Sequence, residues 1–213
     1  MHLHDALYTT RAMRRLRPDP IPLDVQARIL DAAIRAPHVA EQWRFLLIDD
    51  RDLMAELAAL YRTGSDRFLA RMGMTREQMT ALPGTLGKAG RSATYLVDHF
   101  AEVPLLLIGF DRSSDGCGIY PALWSAMLAA RAEGIGSTMT TMLSSEMGPE
   151  VRALLGVPED EGWVMHGAVP MGYPRGPWGI AKRQPVETVV RRNGWSSDSG
   201  FVAPDPLWTP QLD

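Results

Sequence analysis

The sequence contains little of what would build a cross-linked or membrane-embedded protein. Cys117 is the single cysteine among 213 residues, which excludes an internal disulfide framework and a zinc site made from cysteines. The longest clearly apolar run, PLLLIGF at 104–110, is far shorter than the roughly 20 residues that span a bilayer. The opening stretch MHLHDALYTT lacks the apolar core of a secretory signal. We therefore expect a cytoplasmic protein without a membrane partner.

A strong excess of either charge is also missing. The formal net charge is −3 and the pI is near 6.0, so no global positive field gathers nucleic acid. One local exception is YTTRAMRRLRPDPIP at 8–22, which contains Arg11, Arg14, Arg15 and Arg17. This run of arginines has no interleaved aromatic residues, which argues against a nucleic-acid partner. A solvated face and a phosphate site both remain open for it.

Hydrophobic periodicity predicts helices separated by short apolar strands. Gly64 is predicted to end the second helix and Gly134 to end a central helix that is apolar nearly all round, whereas 65–90 is predicted as short helices and loop. This pattern fits α/β or α+β, as a single domain over 1–213. The predicted helices are 21–37, 51–64, 92–103, 120–134 and 148–162, and the predicted strands are 45–50, 104–110, 163–173 and, as strand or extended loop, 135–142.

The sequence matches neither the dinucleotide-binding glycine motif nor the nucleophile elbow of serine hydrolases. The glycine pair at 134–136 would need a third glycine at 139, where Met139 stands, and no serine lies on a Gly-x-Ser-x-Gly elbow. His2 and His4 have no carboxylate or cysteine partners at a metal-binding spacing, so we expect them on a mobile terminus. His166 lies in an apolar strand and is predicted to be a satisfied core histidine.

The arginine run has a basic counterpart near the other end of the chain. Lys182 and Arg183 lie in AKRQP at 181–185. Arginine forks, and backbone N–H groups just ahead of a helix, are suited to bind a phosphate. We expect the two basic clusters to converge on one phosphate group.

The order of the segments resembles that of the nitroreductase-like flavin oxidoreductases. The opening TTRAMRRLRPDPIPLDVQARILDAAIRAP, with QWRFLLIDD after it, is similar to the start of that family, and four later segments match in the family's order. Together they cover most of 6–195. The four segments are YPALWSAMLAARAEGIGSTMTT, LLGVPEDE, PMGYP and KRQPVETVV with a following GW.

The resemblance implies an α+β fold, in which helices flank a mixed sheet, and an FMN-binding homodimer with both sites at the subunit interface. A C-terminal arm, 180–213, would embrace the partner. NADH or NADPH would reduce the flavin, and a small electron acceptor would reoxidise it. Arg15 and Arg17 have no counterpart and are expected to be solvated or interfacial. The implied cofactor contacts are Arg11, the backbone N–H of Ala12, Met13, Arg14 at the pyrimidine edge, the backbone of Thr138, Thr140 and Thr141 along the N5 side, and Lys182 and Arg183 at the phosphate.

One loop departs from the family pattern. The stretch APHVAEQWRF is about two residues shorter than usual and lacks the customary serine and asparagine, whose nearest counterparts are His38, Ala40 and Gln42. His38 and Gln42 are therefore candidate cofactor contacts. Because this loop is altered, a flavin-binding or sequestering protein with little turnover is the alternative to an NAD(P)H oxidoreductase. Met72, Met74, Met79 and Phe68 are predicted as an apolar lid or, equally, as core or interface.

Overall fold

Four strands form one sheet in the computed structural model, which describes residues 1–38, 42–203 and 206–210. They are β1 (Trp43–Ile48), β2 (Leu105–Asp111), β3 (Gly136–Ser137) and β4 (Val164–Gly172), in the order β1-β2-β4-β3. All three strand pairs are antiparallel, and an isolated parallel bridge between Ala12 and Ser137 makes the pairing mixed. The predicted α+β class is confirmed.

Helices cover both faces of this sheet. Side chains alternate along the central strand β2, so Leu106 and Ile108 enter the core on one face while Leu105 and Leu107 enter the core on the other. Burying each such leucine stabilises the fold by about 1.5–3 kcal/mol. The helices are α1 (Leu3–Thr9), α2 (Leu23–Ala33), α3 (Arg51–Arg71), α4 (Arg76–Ala81), α5 (Gly84–Asp98), α6 (Ile119–Ala132), α7 (Met142–Leu154) and α8 (Val186–Val189), with a 3-10 turn at Phe100–Glu102.

Helix α6 is the central helix that the sequence predicts. It lies directly on the sheet because Gly109 leaves room for it: a Cβ at Gly109 would come within 2.8 Å of Ile119 and 3.1 Å of Leu123. Gly134 follows the helix with a φ of 74°, a conformation that glycine adopts without steric cost. The predicted stop at this glycine is confirmed.

Gly64 does not end a helix, and that prediction is wrong. Helix α3 continues through Gly64 to Arg71 because α7 crosses it there, and a Cβ at Gly64 would meet Met147 at 3.1 Å. The glycine therefore serves close packing between helices. Helix α7 also begins earlier than predicted, at Met142, and is interrupted at Met147, whose φ of −133° is not helical. Pro149 follows this kink, where the missing N–H costs little.

The segment between α3 and β2 forms a tight pair of helices. Thr75 and Gln78 build a reciprocal capping box at the start of α4. Helix α4 then packs on α5 at Gly90, where an added Cβ would lie 2.6 Å from the Met79 carbonyl oxygen. Met79 thus participates in packing between helices, and Met72 is exposed. The proposed lid stays a prediction.

The N-terminal histidines are not on a loose end, contrary to our expectation. The rings of His2 and His4 both stack on Trp208, at 4.8 and 4.7 Å, and Trp208 Nε1 donates to Asp5 Oδ1 at 3.0 Å. In the described ranges, no helix is long and apolar enough to cross a membrane. The same residues contain no group of three or more His, Cys, Asp or Glu side chains able to hold a metal ion.

Candidate functional site

The arginine-rich segment is held against the sheet by backbone hydrogen bonds. Met13 N donates to Ser137 O at 2.9 Å, and Arg17 N donates to Tyr173 O at 2.8 Å. Gly136 permits this approach, because a Cβ there would lie 3.0 Å from Met13 Cβ. Residues 11–14 are therefore beside 137–141, so two of the predicted site segments are brought together.

Met13 itself does not face a ligand. Its side chain is buried in the core on the α3 side of the sheet, and its N–H is engaged by Ser137. The N–H of Met13 is thus paired within the chain, and Met13 as a cofactor contact stays a prediction. Ala12 is exposed.

The four arginines have different surroundings. Arg11 Nη2 donates to Pro177 O at 2.9 Å, whereas the Arg15 guanidinium lies 4.2 Å from the centre of the Tyr95 ring. Arg17 pairs with a nearby carboxylate and lies over an aromatic ring. Arg14 is half-buried: burial lowers the pKa of its guanidinium, and the nearby Tyr61 opposes that shift. Arg14 is therefore the most desolvated cation of the run.

A second basic segment packs against the end of α1. Ala181 N donates to Tyr8 O at 2.9 Å, which brings 181–183 beside the start of the arginine run. A cavity of about 310 Å³ opens at this junction, and Thr10, Arg183 and Trp124 of α6 contribute to its lining. Lys182 and Arg183 are exposed, and Arg183 Nη1 donates to the Lys182 carbonyl.

Thr10 is the distinctive residue of this cavity. Its hydroxyl oxygen is buried and has no hydrogen-bond partner among the residues that the structure describes. Buried polar atoms are almost always paired, so an unpaired one calls for an explanation, and Thr10 is also a lining residue of this cavity. Sequence analysis did not select Thr10, because its lack of a partner is a property of the folded chain.

Convergence of the basic clusters is only partly observed. The backbone joins the two segments, but Arg14 is not among the residues that line the cavity of Thr10 and Arg183. Its described electrostatic neighbour is Tyr61. The cationic residues thus divide between the cavity that Thr10 and Arg183 line and the separate surroundings of Arg14.

The threonine segment presents side chains, whereas backbone contacts were expected. Thr138 N donates to Pro170 O at 3.3 Å and Thr140 N donates to Ala168 O at 2.8 Å, so both N–H groups are used within the sheet. These two N–H groups are paired because the extended segment runs beside β4, and Thr138 and Thr140 as cofactor contacts stay a prediction. Thr141 is exposed at the start of α7.

Tyr61 of α3 joins this part of the site, and sequence analysis missed it. Its hydroxyl lies 3.3 Å from Thr140 Oγ1, and its ring stacks on Phe100 with centroids 4.2 Å apart. Burial raises the pKa of Tyr61, while the Thr140 hydrogen bond and the Arg14 charge act in the opposite direction. The phenol is therefore neutral near pH 7. Only its place in an apolar helical stripe was visible beforehand, and that predicts a core residue.

His38 and Gln42 lie apart from these residues. His38 Nε2 is 3.3 Å from Asp111 Oδ2, and the two side chains are only 9% and 2% exposed. They line a separate cavity of about 510 Å³, which also includes Ser113, Cys117 and Gly118. Gln42 is exposed just before β1, and Ala40 is outside the described residues.

Asp111 remains ionised at the end of β2. Burial by itself would raise the pKa of this carboxyl, but the N–H and hydroxyl of Ser113 and the imidazole of His38 lower it further than burial raises it. The net effect is a pKa below the ordinary value. This buried carboxylate fixes the orientation of the His38 ring.

Comparison with known proteins identifies the family. The chain belongs to the nitroreductase family, whose model matches residues 7–173. It is 26% identical over 188 residues to the iodotyrosine deiodinase of Nematostella vectensis, covering 84% of this chain and 70% of that protein. It is 28% identical over an alignment of 217 residues to the 5,6-dimethylbenzimidazole synthase of Rhodospirillum rubrum, covering 91% and 89%.

A solved structure supports the same assignment. The nitroreductase with bound FMN from Bacteroides fragilis has a TM-score of 0.60 and 25% identity, over 86% of this chain and 94% of that one. The predicted nitroreductase-like fold is confirmed. One of the similar solved structures is a nitroreductase that contains bound FMN.

Proposed function

We propose that this protein is an FMN-dependent NAD(P)H oxidoreductase that reduces electron-poor acceptors such as nitroaromatics, quinones or activated alkenes. Family membership supports a flavoprotein, and a similar solved structure carries FMN. When bound, FMN takes a hydride from NAD(P)H and passes two electrons, with protons, to the acceptor. The chain itself needs no nucleophile for this chemistry, and its residues act by binding and electrostatics.

The cavity that Thr10 and Arg183 line together is the observation that supports the cofactor part of this proposal. A phosphate oxygen accepts hydrogen bonds, and the Arg183 guanidinium is a charged donor on the wall of this cavity. Arg11 and Lys182 lie next to them in sequence and add positive charge. The residues present thus fit the phosphate end of FMN.

Arg14 and Thr140 fit the ring end. A half-buried guanidinium stabilises negative charge more than a fully solvated one does, because solvent screening is weaker there. Negative charge on a reduced flavin ring would therefore be favoured at Arg14. We assign the Thr140 hydroxyl, on the half-buried residue beside Tyr61, to a hydrogen bond with the same ring.

We assign His38 and Gln42 to the flavin of a second copy of the chain. Within one chain His38 lines a different cavity from Thr10, and Gln42 lines neither of the two, so we assign both to a site completed by a homodimer. The 180–213 arm supports a dimer because it exposes apolar side chains, with Trp195 93% and Val202 89% exposed. Light scattering that gives the mass of one chain would contradict this assignment.

Anaerobic stopped-flow spectroscopy tests the activity. NADH or NADPH should bleach the visible absorbance of bound FMN, and addition of a nitroaromatic or quinone should restore it. Bound flavin that neither nucleotide reduces would instead support the flavin-sequestering alternative. Restoration only by a halogenated tyrosine would favour reductive dehalogenation, the activity that the name of the Nematostella vectensis relative indicates.

A further inference from the structure

Two arginines flank the ring of Trp163 at one end of the sheet. Arg44 lies at the start of β1, Arg112 follows β2 and Trp163 precedes β4, so the antiparallel pairing of β1 with β2 and of β2 with β4 brings them together. The Arg44 Cζ lies 5.1 Å from the centre of the indole ring, and the Arg112 Cζ lies 4.9 Å from it. Strand pairing thus assembles an aromatic surface with two cations beside it.

A cavity of about 260 Å³ adjoins the Trp163 ring and has a mainly apolar lining. Leu46 and Phe110 from the sheet contribute to that lining, and so do Leu155 and Val157 from the segment that follows α7. Ligand sites are typically apolar cavities in which a few polar groups fix the orientation of the ligand. The volume suits a single aromatic ring that carries a short acid side chain.

The two charged residues that line this cavity, Arg44 and Glu161, differ in their partners. The Glu161 carboxylate accepts from Trp163 Nε1 at 2.8 Å and lies 3.9 Å from Arg112 Nη2. Arg44 forms no ion pair within the described ranges, and its described hydrogen bond runs from Nη1 to the Trp43 carbonyl oxygen at 3.0 Å. A guanidinium has five N–H donors, so most of those of Arg44 remain for a ligand.

We propose that this cavity binds an aromatic monocarboxylate, with the ring beside Trp163 and Phe110 and the carboxylate on Arg44. A guanidinium matches a carboxylate through two parallel N–H donors, and aromatic rings pack favourably on one another. Glu161 repels a second negative charge, so a monoanion fits better than a dianion. The inference is independent of the proposed FMN site, because none of the candidate cofactor residues is among the described residues that line this cavity.

Isothermal titration calorimetry of the full chain with cinnamate tests this proposal. We expect saturable binding, and the uncharged analogue cinnamamide should bind about fivefold more weakly or worse, because it lacks the charge that pairs with Arg44. Arg44→Gln should weaken cinnamate by about the same factor and leave cinnamamide unchanged. A second carboxylate on the ring, as in para-carboxycinnamate, should also weaken binding.

Two further variants locate the site and serve as a control. Val157→Phe adds volume to the wall of the cavity and should weaken both cinnamate and cinnamamide. Arg35→Gln removes another exposed guanidinium, whose described partner is Asp31, and should change neither affinity. Thermal unfolding of each variant shows whether a loss of binding reflects a loss of the fold.

Three results would overturn the inference. In the first, the wild-type chain binds neither cinnamate nor cinnamamide. In the second, the two probes bind equally well, which is the effect of apolar burial alone. In the third, a folded Arg44→Gln variant binds cinnamate as the wild type does. Uptake of FMN enters none of these measurements, so failure of this inference is distinguishable from failure of the proposed function.

Discussion

The backbone N–H of Ala181 donates to the carbonyl oxygen of Tyr8 at 2.9 Å, and this hydrogen bond joins segments from opposite ends of the chain. It brings Lys182 and Arg183 to the residues that follow α1. A cavity with an unsatisfied Thr10 hydroxyl lies at the junction. The proposed phosphate site is therefore built by tertiary structure from two basic segments.

Thr10→Val should stabilise the FMN-free protein and weaken its binding of FMN. In the FMN-free protein, removing an unpaired buried hydroxyl should raise the free energy of unfolding by about 1–2 kcal/mol. The affinity for FMN should fall at least tenfold, because a hydrogen bond to a charged phosphate is lost. Urea denaturation and FMN titration measure the two effects. Thr63→Val, on α3 and with its hydroxyl bonded to Ala59 O, is the matched control and should leave FMN affinity unchanged.

Arg14→Met should lower the midpoint potential of bound FMN. The variant keeps an unbranched, flexible side chain but removes the charge that favours a reduced, negatively charged ring. A ten- to hundredfold loss of preference for the reduced form corresponds to a fall of about 30–60 mV. Spectroscopic titration against a redox dye measures it. Arg15→Met is the control, because the Arg15 guanidinium lies on the Tyr95 ring, and an equal fall in both variants would contradict a specific role for Arg14.

Gly118→Ala should displace His38 from its carboxylate partner. An added Cβ would lie 2.0 Å from His38 Cδ2, although the φ of −82° suits alanine. Such overpacking destabilises folded proteins by about 1–3 kcal/mol. Chemical denaturation should show this loss, and His38→Ala should relieve most of it in the double variant. Additive losses in the double variant would mean that the clash is not with His38.

Asp111 should make the free energy of unfolding depend on pH in the acid range. A carboxyl whose pKa is depressed in the folded state contributes stability above its ordinary pKa of 3.8 and loses it as the pH falls through the folded value. The excess stability of the wild type over Asp111→Asn should therefore be present at about pH 5 and shrink below about pH 4. Urea unfolding across this range measures it. Asp19→Asn changes an exposed carboxylate and should have little effect throughout. A difference that grows on acidification would contradict the assigned shift.

The sequence predicts best the strand and the helix that are almost completely buried. The strand at 104–110 and the helix at 120–134 were identified because nearly every side chain in them is apolar, and the structure places both at the centre. The prediction that Gly64 ends a helix is wrong because a glycine that ends a helix and a glycine that admits a crossing helix look the same in the sequence. The difference depends on Met147, which is far away along the chain.

The charged residues of the candidate site could be selected from the sequence. The residues whose role depends on hydrogen bonding could not. Arg14 and Arg183 could be selected because their charge is visible in the sequence. Thr10 and Tyr61 could not be selected, because the hydrogen bonding of a hydroxyl is decided only when the chain folds. The segment at 138–141 lies beside the arginine run, and its role as a cofactor contact stays a prediction. Its backbone was expected to face the ligand, and pairing with β4 leaves the side chains for that role.

Titration of the purified, flavin-free protein with FMN tests the central claim most directly. The account predicts saturable binding of one FMN per chain, with a visible flavin spectrum that NADH or NADPH bleaches without oxygen. It also predicts that Thr10→Val combined with Arg183→Ala binds at least a hundredfold more weakly, as expected when two charge-assisted hydrogen bonds are lost. Failure of the wild-type chain to take up FMN, or equal binding by the double variant, would contradict it.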